Sequence, residues 1–442
     1  MKKNVNYPFA FFLVLLLLSV NFNAYAAYLP WKTALRIVND KESKKIDIAL
    51  ENYLLSLGKE NAIAQLCLVN IEGSKSYSPV ETVFDVTGKR KDKDKPLVSG
   101  GFLFFSYNIA PSAKEAIEFS KSITDYCLSR NLSVPYIAVD QEGGEVNRLK
   151  HITSYLPSEA KIAKTLTPEE SYNLYKSQAM QMKALGFSMN LAPVVESLDE
   201  SNKEFLGLRS FGSPSKSIIY SSVFVRAFEE SSVASVIKHF PGNTNVDPHT
   251  GLPFLDMTEA QIIKKCVSPL PFIFLENPSC VLMSHAKTSS FENNVPACLS
   301  SFWIQKILKE TLLFKGLVIS DDIFMKAFLD NGFSKENAAV RAIEAGCDVI
   351  MLSEKRCAYL VKILLEESQK NPSFASRLLD AQKKVVRFKI SKGLLELIKK
   401  EDGTYTVMNM ESPSESERLN DFNRYYKEGV SLYNLYYGMK NE

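Results

Sequence analysis

Residues 233–253 read VASVIKHFPGNTNVDPHTGLP, and how this stretch divides decides the fold. Its first part is an apolar run without alternation, the pattern of a strand buried on both faces. The run ends in Lys238 and His239, then passes through Pro241-Gly242 into a polar loop carrying Asp247 and His249. That spacing lets a carboxylate hold an imidazole. A packed core has no use for such a composition, whereas the end of a strand opening onto an active site does.

The same plan recurs along the chain. Short apolar runs stand at 62–70 (AIAQLCLVN), 100–108 (GGFLFFSYN), 135–141 (PYIAVDQ), 187–195 (FSMNLAPVV), 279–286 (SCVLMSHA), 316–322 (GLVISDD) and 347–353 (CDVIMLS). Helix-like stretches lie between most of them, at 112–130, 158–185, 214–230, 299–313, 334–345 and 356–369. The third opens on Ser213-Pro214, a capping residue followed by proline at the first helical position. This alternation predicts a (β/α)8 TIM barrel over 27–390, a single catalytic domain, rather than an open doubly wound sheet. Asp140, Asn190, Lys238, His239, His285, Asp321 and Asp322 all fall at the C-terminal ends of predicted strands. In a barrel those ends converge on one mouth, where catalysis is located.

Three segments stand outside the repeat. Residues 27–61 are expected to form an opening helix around DIALENYLLSLG, and 71–99 a long, charged first loop containing GKRKDKDKP. Residues 391–442 are expected to be a linker and a C-terminal helical extension docked on the barrel. At the other end, MKKNVNYPFAFFLVLLLLSVNFNAYA has two lysines, an apolar run from Phe9 to Val20 and small residues at Ala24 and Ala26. This is the composition of a secretory signal peptide, 1–26, cleaved after Ala26. The run is short for a bilayer span, so no stable membrane anchor is expected after cleavage. The protein is then expected to be exported, periplasmic or extracellular.

A net charge of +3 with 23% charged residues gives no basis for a nucleic-acid surface. The seven cysteines include no CxxC pair, their odd count leaves at least one thiol free, and they read as packing.

At the mouth, Asp321 can serve as nucleophile, base or ligand. Adjacent residues on a strand point to opposite faces, so Asp321 and Asp322 are not expected to share a metal ion, and one of them is assigned to structure. His249 with Asp247 suggests an acid/base imidazole tuned by a carboxylate. Lys238, His239, Arg148 and Arg209 offer donors to hydroxyls of a polar substrate, although Arg209 in LRSFG fits a structural salt bridge equally well.

Taken in order, DQEGGEVNRL, NLAPVVE, LRSFG, KHFPG…DPH…LP, VLMSHA, PACLS and GLVISDDIFM resemble glycoside hydrolase family 3. Within it they look like the single-barrel β-N-acetylglucosaminidases (β-hexosaminidases). The resemblance runs from about Ala62 to the strand at 353. It implies that Asp321 is the nucleophile of a retaining mechanism and that Asp247 and His249 form the acid/base pair. Asp140, Arg148, Arg209, Lys238 and His239 then correspond to substrate-binding positions for a terminal N-acetylglucosamine. No cofactor and no metal are implied, and the partner is a small carbohydrate, an N-acetylglucosamine-containing oligosaccharide or muropeptide.

The chain also departs from the family pattern. Its KHFPGNTNVDPH segment is shorter and lacks the usual His-Gly-Asp portion, and Pro248 stands between Asp247 and His249. A shorter, stiffer loop is expected to slow the acid step. Glu145 replaces the usual arginine, and Glu196 stands where an aspartate is common. Hydrolysis of peptidoglycan fragments or other soluble glycans is the leading reading. A β-N-acetylglucosaminide phosphorylase and a weakly or non-catalytic N-acetylglucosamine-binding barrel are the alternatives.

Overall fold

The computed structural model describes residues 40–89, 95–247, 251–292, 295–324, 328 and 330–438. The expected signal peptide, Pro248 and His249 lie outside the described residues. The chain divides into units 1–46 and 47–442. Of the first, only 40–46 are described, the opening turns of a helix Asp40–Leu57.

Eight parallel strands close into a barrel in the order in which the chain makes them. They are β1 Cys67–Asn70, β2 Gly101–Phe104, β3 Tyr136–Val139, β4 Met189–Asn190, β5 Ala234–Phe240, β6 Cys280–Met283, β7 Leu317–Ser320 and β8 Val349–Leu352. Pairing of Cys67 with Ile350 and of Leu68 with Met351 closes the ring between β1 and β8. Each strand lies inside the apolar run that predicts it, and every residue of the eight is buried. Where β5 meets β6 the register slips between Ile237 and Phe240. Such an irregularity re-aims side chains beside a site, and here it falls on Lys238 and His239.

The barrel's lower end, at the strand N-termini, is tied by charge. Asp348, just before β8, accepts from Val318 N–H at 3.1 Å and from Arg377 Nη2 at 2.7 Å, with Lys309 at 3.8 Å and Lys384 at 3.5 Å. Gly101 is required by packing: a Cβ there would lie 2.1 Å from the Tyr136 ring, which fills the space between β2 and β3.

The helices largely follow the sequence, although the stretch expected at 299–313 is wound as a π-helix over Phe302–Thr311. Ser213 caps Pro214–Glu230 by accepting from Lys216 N–H. The stretch 158–185, expected as one helix, is two, Glu159–Thr165 and Pro168–Leu185. Thr167 and Glu170 form a capping box with Pro168 at the first turn, and this start signal breaks the run. A further helix, Pro372–Ser391, precedes the tail. Where a linker is expected, Leu395–Lys399 and Tyr405–Asn409 pair as an antiparallel hairpin.

The tail ends in a helix, Glu415–Tyr437, docked on the barrel's outer helices. Arg418 gives Nε to Ala184 O at 2.9 Å and Nη2 to Ser120 Oγ at 2.6 Å, and Ser177 Oγ donates to Tyr425 O at 2.9 Å. Gly429 permits the close approach: a Cβ there would stand 2.3 Å from Ser154 Oγ and 2.8 Å from Gln181 Nε2. Ser154 lies on the segment that follows Arg148 and is bonded to Gln181, so this helix packs against both. Gly429→Val should cost about 1–3 kcal/mol through overpacking, read as a lower urea midpoint with an unchanged slope.

Candidate active site

Strand β3 delivers Asp140 directly after Val139, and the chain then folds into a small ribbon, Gln141–Gly143 against Val146–Asn147. The ribbon is fixed from β4, because Asn190 Oδ1 accepts from Gln141 N–H and Asn190 Nδ2 donates to Gln141 O, both at 3.0 Å. Gly143 turns it at φ +98°, where a Cβ would also meet Pro157 O at 2.2 Å. The consequence is that Glu142 is buried next to Asp140.

Lys238, near the end of β5, extends into this acidic pair. Its Nζ lies 2.8 Å from Asp140 Oδ1 and 2.6 Å from Glu142 Oε1. Arg209 approaches Glu142 from the other side as a fork, Nε to Oε2 at 2.8 Å and Nη2 to Oε1 at 2.9 Å. Burial by itself would raise the Glu142 carboxyl, but the Lys238 ammonium and the Arg209 guanidinium outweigh it and hold the group down to about 2. Burial likewise opposes the charge on Lys238, yet Asp140 and Glu142 raise its pKa above the ordinary lysine value. Glu142, Lys238 and Arg209 therefore stay ionised at the mouth.

Glu196, after β4, organises the neighbouring residue. Its Oε1 meets His239 Nδ1 at 2.8 Å, and its Oε2 accepts from Asn243 N–H at 2.6 Å. Burial would raise this carboxyl, and the hydrogen bond and charge of His239 turn the shift downward. Phe205 lies between the two basic side chains, 5.4 Å beneath the Arg209 guanidinium and 6.4 Å from the His239 ring.

On the far side, β6 and β7 contribute His285, Asp321 and Asp322. His285 is fully buried; burial lowers its pKa, against the pull of Asp321 and Asp322, while His239 adds to the lowering. Parallel pairing of β5 with β6 and of β6 with β7 places their C-terminal ends side by side. Asp322 has both oxygens on main-chain donors, Oδ1 from Phe324 N–H at 3.0 Å and Oδ2 from Ser353 N–H at 3.2 Å. Burial raises its pKa. Asp321 is half-buried, and its Oδ1 accepts from Asp322 N–H at 2.9 Å.

The structure thus joins Asp140, Lys238 and Arg209 through Glu142 and holds His239 on Glu196. Arg209 is at once an ion-pair partner and a wall of the site. Arg148 keeps its main-chain N–H 3.4 Å from Asp140 O, while its Nε is buried without a hydrogen-bond partner among the described residues. Asp247 is exposed on the loop, with Gly251 N–H on its carbonyl at 3.1 Å. Its partner in the sequence, His249, lies outside the described residues.

Three acids escaped the sequence reading as parts of the site: Glu142, Glu196 and Glu159. Glu159 is fully buried, accepts from Val194 N–H at 3.1 Å and has a pKa raised well above the carboxylate range by burial and by Glu142. Among the described residues no three His, Cys, Asp or Glu side chains cluster as metal ligands. All seven cysteines are free. A cavity of about 570 Å³ opens among Phe274, Leu313, Phe314 and Arg387, but it lies at the strand N-termini and contains none of these groups.

The Glu142 carboxyl is depressed from an ordinary 4.5 to about 2. Its ionisation therefore contributes stability that is complete above the unfolded value and is lost as pH falls toward the folded one. Glu142→Gln should flatten the stability–pH curve in that window. At neutral pH it should also destabilise the protein by about 3–5 kcal/mol, because two buried cations lose a partner; urea unfolding at a series of pH values checks both effects.

The sequence pattern described as the glycosyl hydrolase family 3 N-terminal domain matches residues 60–388. A β-hexosaminidase of Haemophilus influenzae is 29% identical over 310 residues, covering 67% of this chain and 86% of that protein. One from Psychromonas ingrahamii is 31% identical over 291 residues, covering 62% and 82%. A solved structure, the β-N-acetylhexosaminidase from Beutenbergia cavernae, superposes with a TM-score of 0.64 at 23% identity, over 75% of this chain and 98% of that one. This last likeness shows the barrel fold alone.

Proposed function

The chain belongs to glycosyl hydrolase family 3, and we propose that it is an exported, retaining β-N-acetylglucosaminidase. Its substrates on this reading are soluble glycans with a terminal β-linked N-acetylglucosamine, such as peptidoglycan fragments. The observation that carries the reading is the division of labour at the mouth. One end of it is a rigid array of paired donors and acceptors, Asp140–Lys238–Glu142–Arg209, suited to vicinal hydroxyls. The other end is a carboxylate, Asp321, beside one whose oxygens are committed to the main chain. The relatives named β-hexosaminidase support the choice of sugar, and the secretory character of residues 1–26 supports export.

In this mechanism Asp321 attacks the anomeric carbon as His249 protonates the departing glycosidic oxygen, forming a covalent glycosyl-enzyme. His249 then takes a proton from water as the water displaces Asp321, so configuration is retained. Asp247 stabilises the imidazolium that forms after the proton is taken up. Asp140, Arg148, Arg209, Lys238 and His239 bind the terminal sugar and fix its anomeric carbon over Asp321.

Release of 4-nitrophenol from its β-N-acetylglucosaminide tests the reading. Wild type should turn over without phosphate, and His249→Ala and Asp321→Asn should each lose about a hundredfold or more in kcat/KM. An inert wild type that still binds N-acetylglucosamine would reduce the barrel to a binding protein. A phosphate-dependent rate with sugar 1-phosphate as product would make it a phosphorylase.

A further inference from the structure

A further buried acid stands directly behind the ribbon that carries Glu142. Gly144 N–H donates to Leu156 O at 2.9 Å, and a Cβ on Gly144 would lie 2.6 Å from Ser158 Cβ. Residues 156–158 are thus packed against the ribbon, and Glu159 follows them, buried at the start of the helix Glu159–Thr165. From there it reaches the chain that leaves β4, where its Oε1 accepts from Val194 N–H at 3.1 Å.

Val194 is the middle residue of the stretch on which Lys238 is laid. Lys238 N–H donates to Pro193 O at 3.1 Å, Val195 N–H donates to Lys238 O at 2.9 Å, and Val194 pairs with Lys238 in parallel between these two bonds. Pro193 and Val195 therefore serve β5, while Val194 gives its own N–H to Glu159. One carboxyl fixes the main chain from which the Lys238 ammonium extends to Asp140 and Glu142.

We propose that Glu159 is a positioning residue for sugar binding: through Val194 it anchors the main chain that carries Lys238, and so holds the ammonium between Asp140 and Glu142. It touches no reacting atom and acts through Lys238.

The role suits a neutral acid. The groups that act on the Glu159 carboxyl are Glu142 on the ribbon, Lys238 on β5, Arg209, and the Tyr175 hydroxyl on the helix Pro168–Leu185. Burial first and the Glu142 charge second keep its pKa well above the ordinary carboxylate value, against the Val194 N–H, Lys238 and Arg209. Its Oε2 has no hydrogen-bond partner among the described residues, and a buried charge without hydrogen bonds is costly. Protonated, Glu159 accepts from Val194 without competing with Glu142 for the ammonium. Ionised, it adds a negative charge that repels Glu142 and draws on Lys238. Sugar binding should weaken in alkali as that proton is lost.

The inference rests on Lys238 binding the terminal sugar, and the test separates the two claims. We would measure kcat/KM for 4-nitrophenyl β-N-acetylglucosaminide from neutral to alkaline pH with wild type, Glu159→Gln, Glu159→Ala and Lys238→Ala, and confirm folding by urea unfolding. Glu159→Ala, which leaves Val194 N–H without its acceptor, should lose roughly tenfold or more at neutral pH. Glu159→Gln keeps an acceptor oxygen and no charge, and should restore activity to within about threefold of wild type. The ratio of Glu159→Gln to wild type should then rise with pH, because only wild type has this proton to lose; an alkaline limb that both share cancels in the ratio. Should Glu159→Ala fail to fold, the ratio alone decides. A ratio that is flat with pH, or equal losses in Glu159→Gln and Glu159→Ala while Lys238→Ala is severely impaired, would refute the positioning role and leave the sugar site standing. If Lys238→Ala keeps wild-type kcat/KM, the sugar-binding assignment fails and the inference fails with it.

Discussion

The Lys238 ammonium, buried between Asp140 and Glu142 and opposite the Arg209 fork, is the constraint on which the rest of the mouth depends. Burying the Lys238 and Glu142 charges is costly, and such a cluster is poor value as a source of stability alone. It holds because the pairs are short, Arg209 is bidentate, and the ribbon carrying Glu142 is fixed by Asn190. The result is a set of donors and acceptors oriented before any ligand arrives. Preorganised charge of this kind does not have to rearrange during reaction, which is why it is effective in transition-state stabilisation.

The barrel explains how these groups meet. Parallel strands running in chain order bring every C-terminal end to one rim, so Asp140, Lys238, His239, His285 and Asp321 come together from β3, β5, β6 and β7. The opposite rim is occupied by the Asp348–Arg377 pair and its neighbours, whose work is closure. The slip in β5–β6 register lets two successive residues serve the mouth, Lys238 toward the Glu142 side and His239 toward Glu196. Buried carboxylates thus stand behind both members of the Lys-His pair.

The eight strands were legible because each is an unbroken apolar run, and only a sheet covered on both faces demands that. The charged strand-end residues were legible because Asp140, Lys238, His239, His285, Asp321 and Asp322 are the only acidic or basic side chains in their runs. Glu142 was not. It sits in the quoted motif next to Asp140, but its meaning comes from Arg209, 67 positions away, and no spacing in the sequence announces that pair. Glu196 was noticed only as a substitution for aspartate; its grip on Asn243 across 47 positions appears only in three dimensions. The stretch 158–185 holds a second start signal, Thr167-Pro168, that divides it into two helices. The hairpin 395–409 has little signal of its own in the sequence, since its two strands are five residues each and lie outside the eightfold repeat.

The network around Lys238 has functional sense if it holds a sugar ring so that one carboxylate can attack its anomeric carbon. That claim concerns a covalent bond, and trapping the bond is the direct test. The protein would be incubated with a fluorinated N-acetylglucosaminyl fluoride that forms the glycosyl-enzyme faster than it is hydrolysed, then digested and mapped by mass spectrometry. The account predicts one sugar per chain, carried on Asp321 and absent from Asp321→Asn. A stable adduct on any other residue, or complete turnover of the reagent by Asp321→Asn at the wild-type rate, would contradict it.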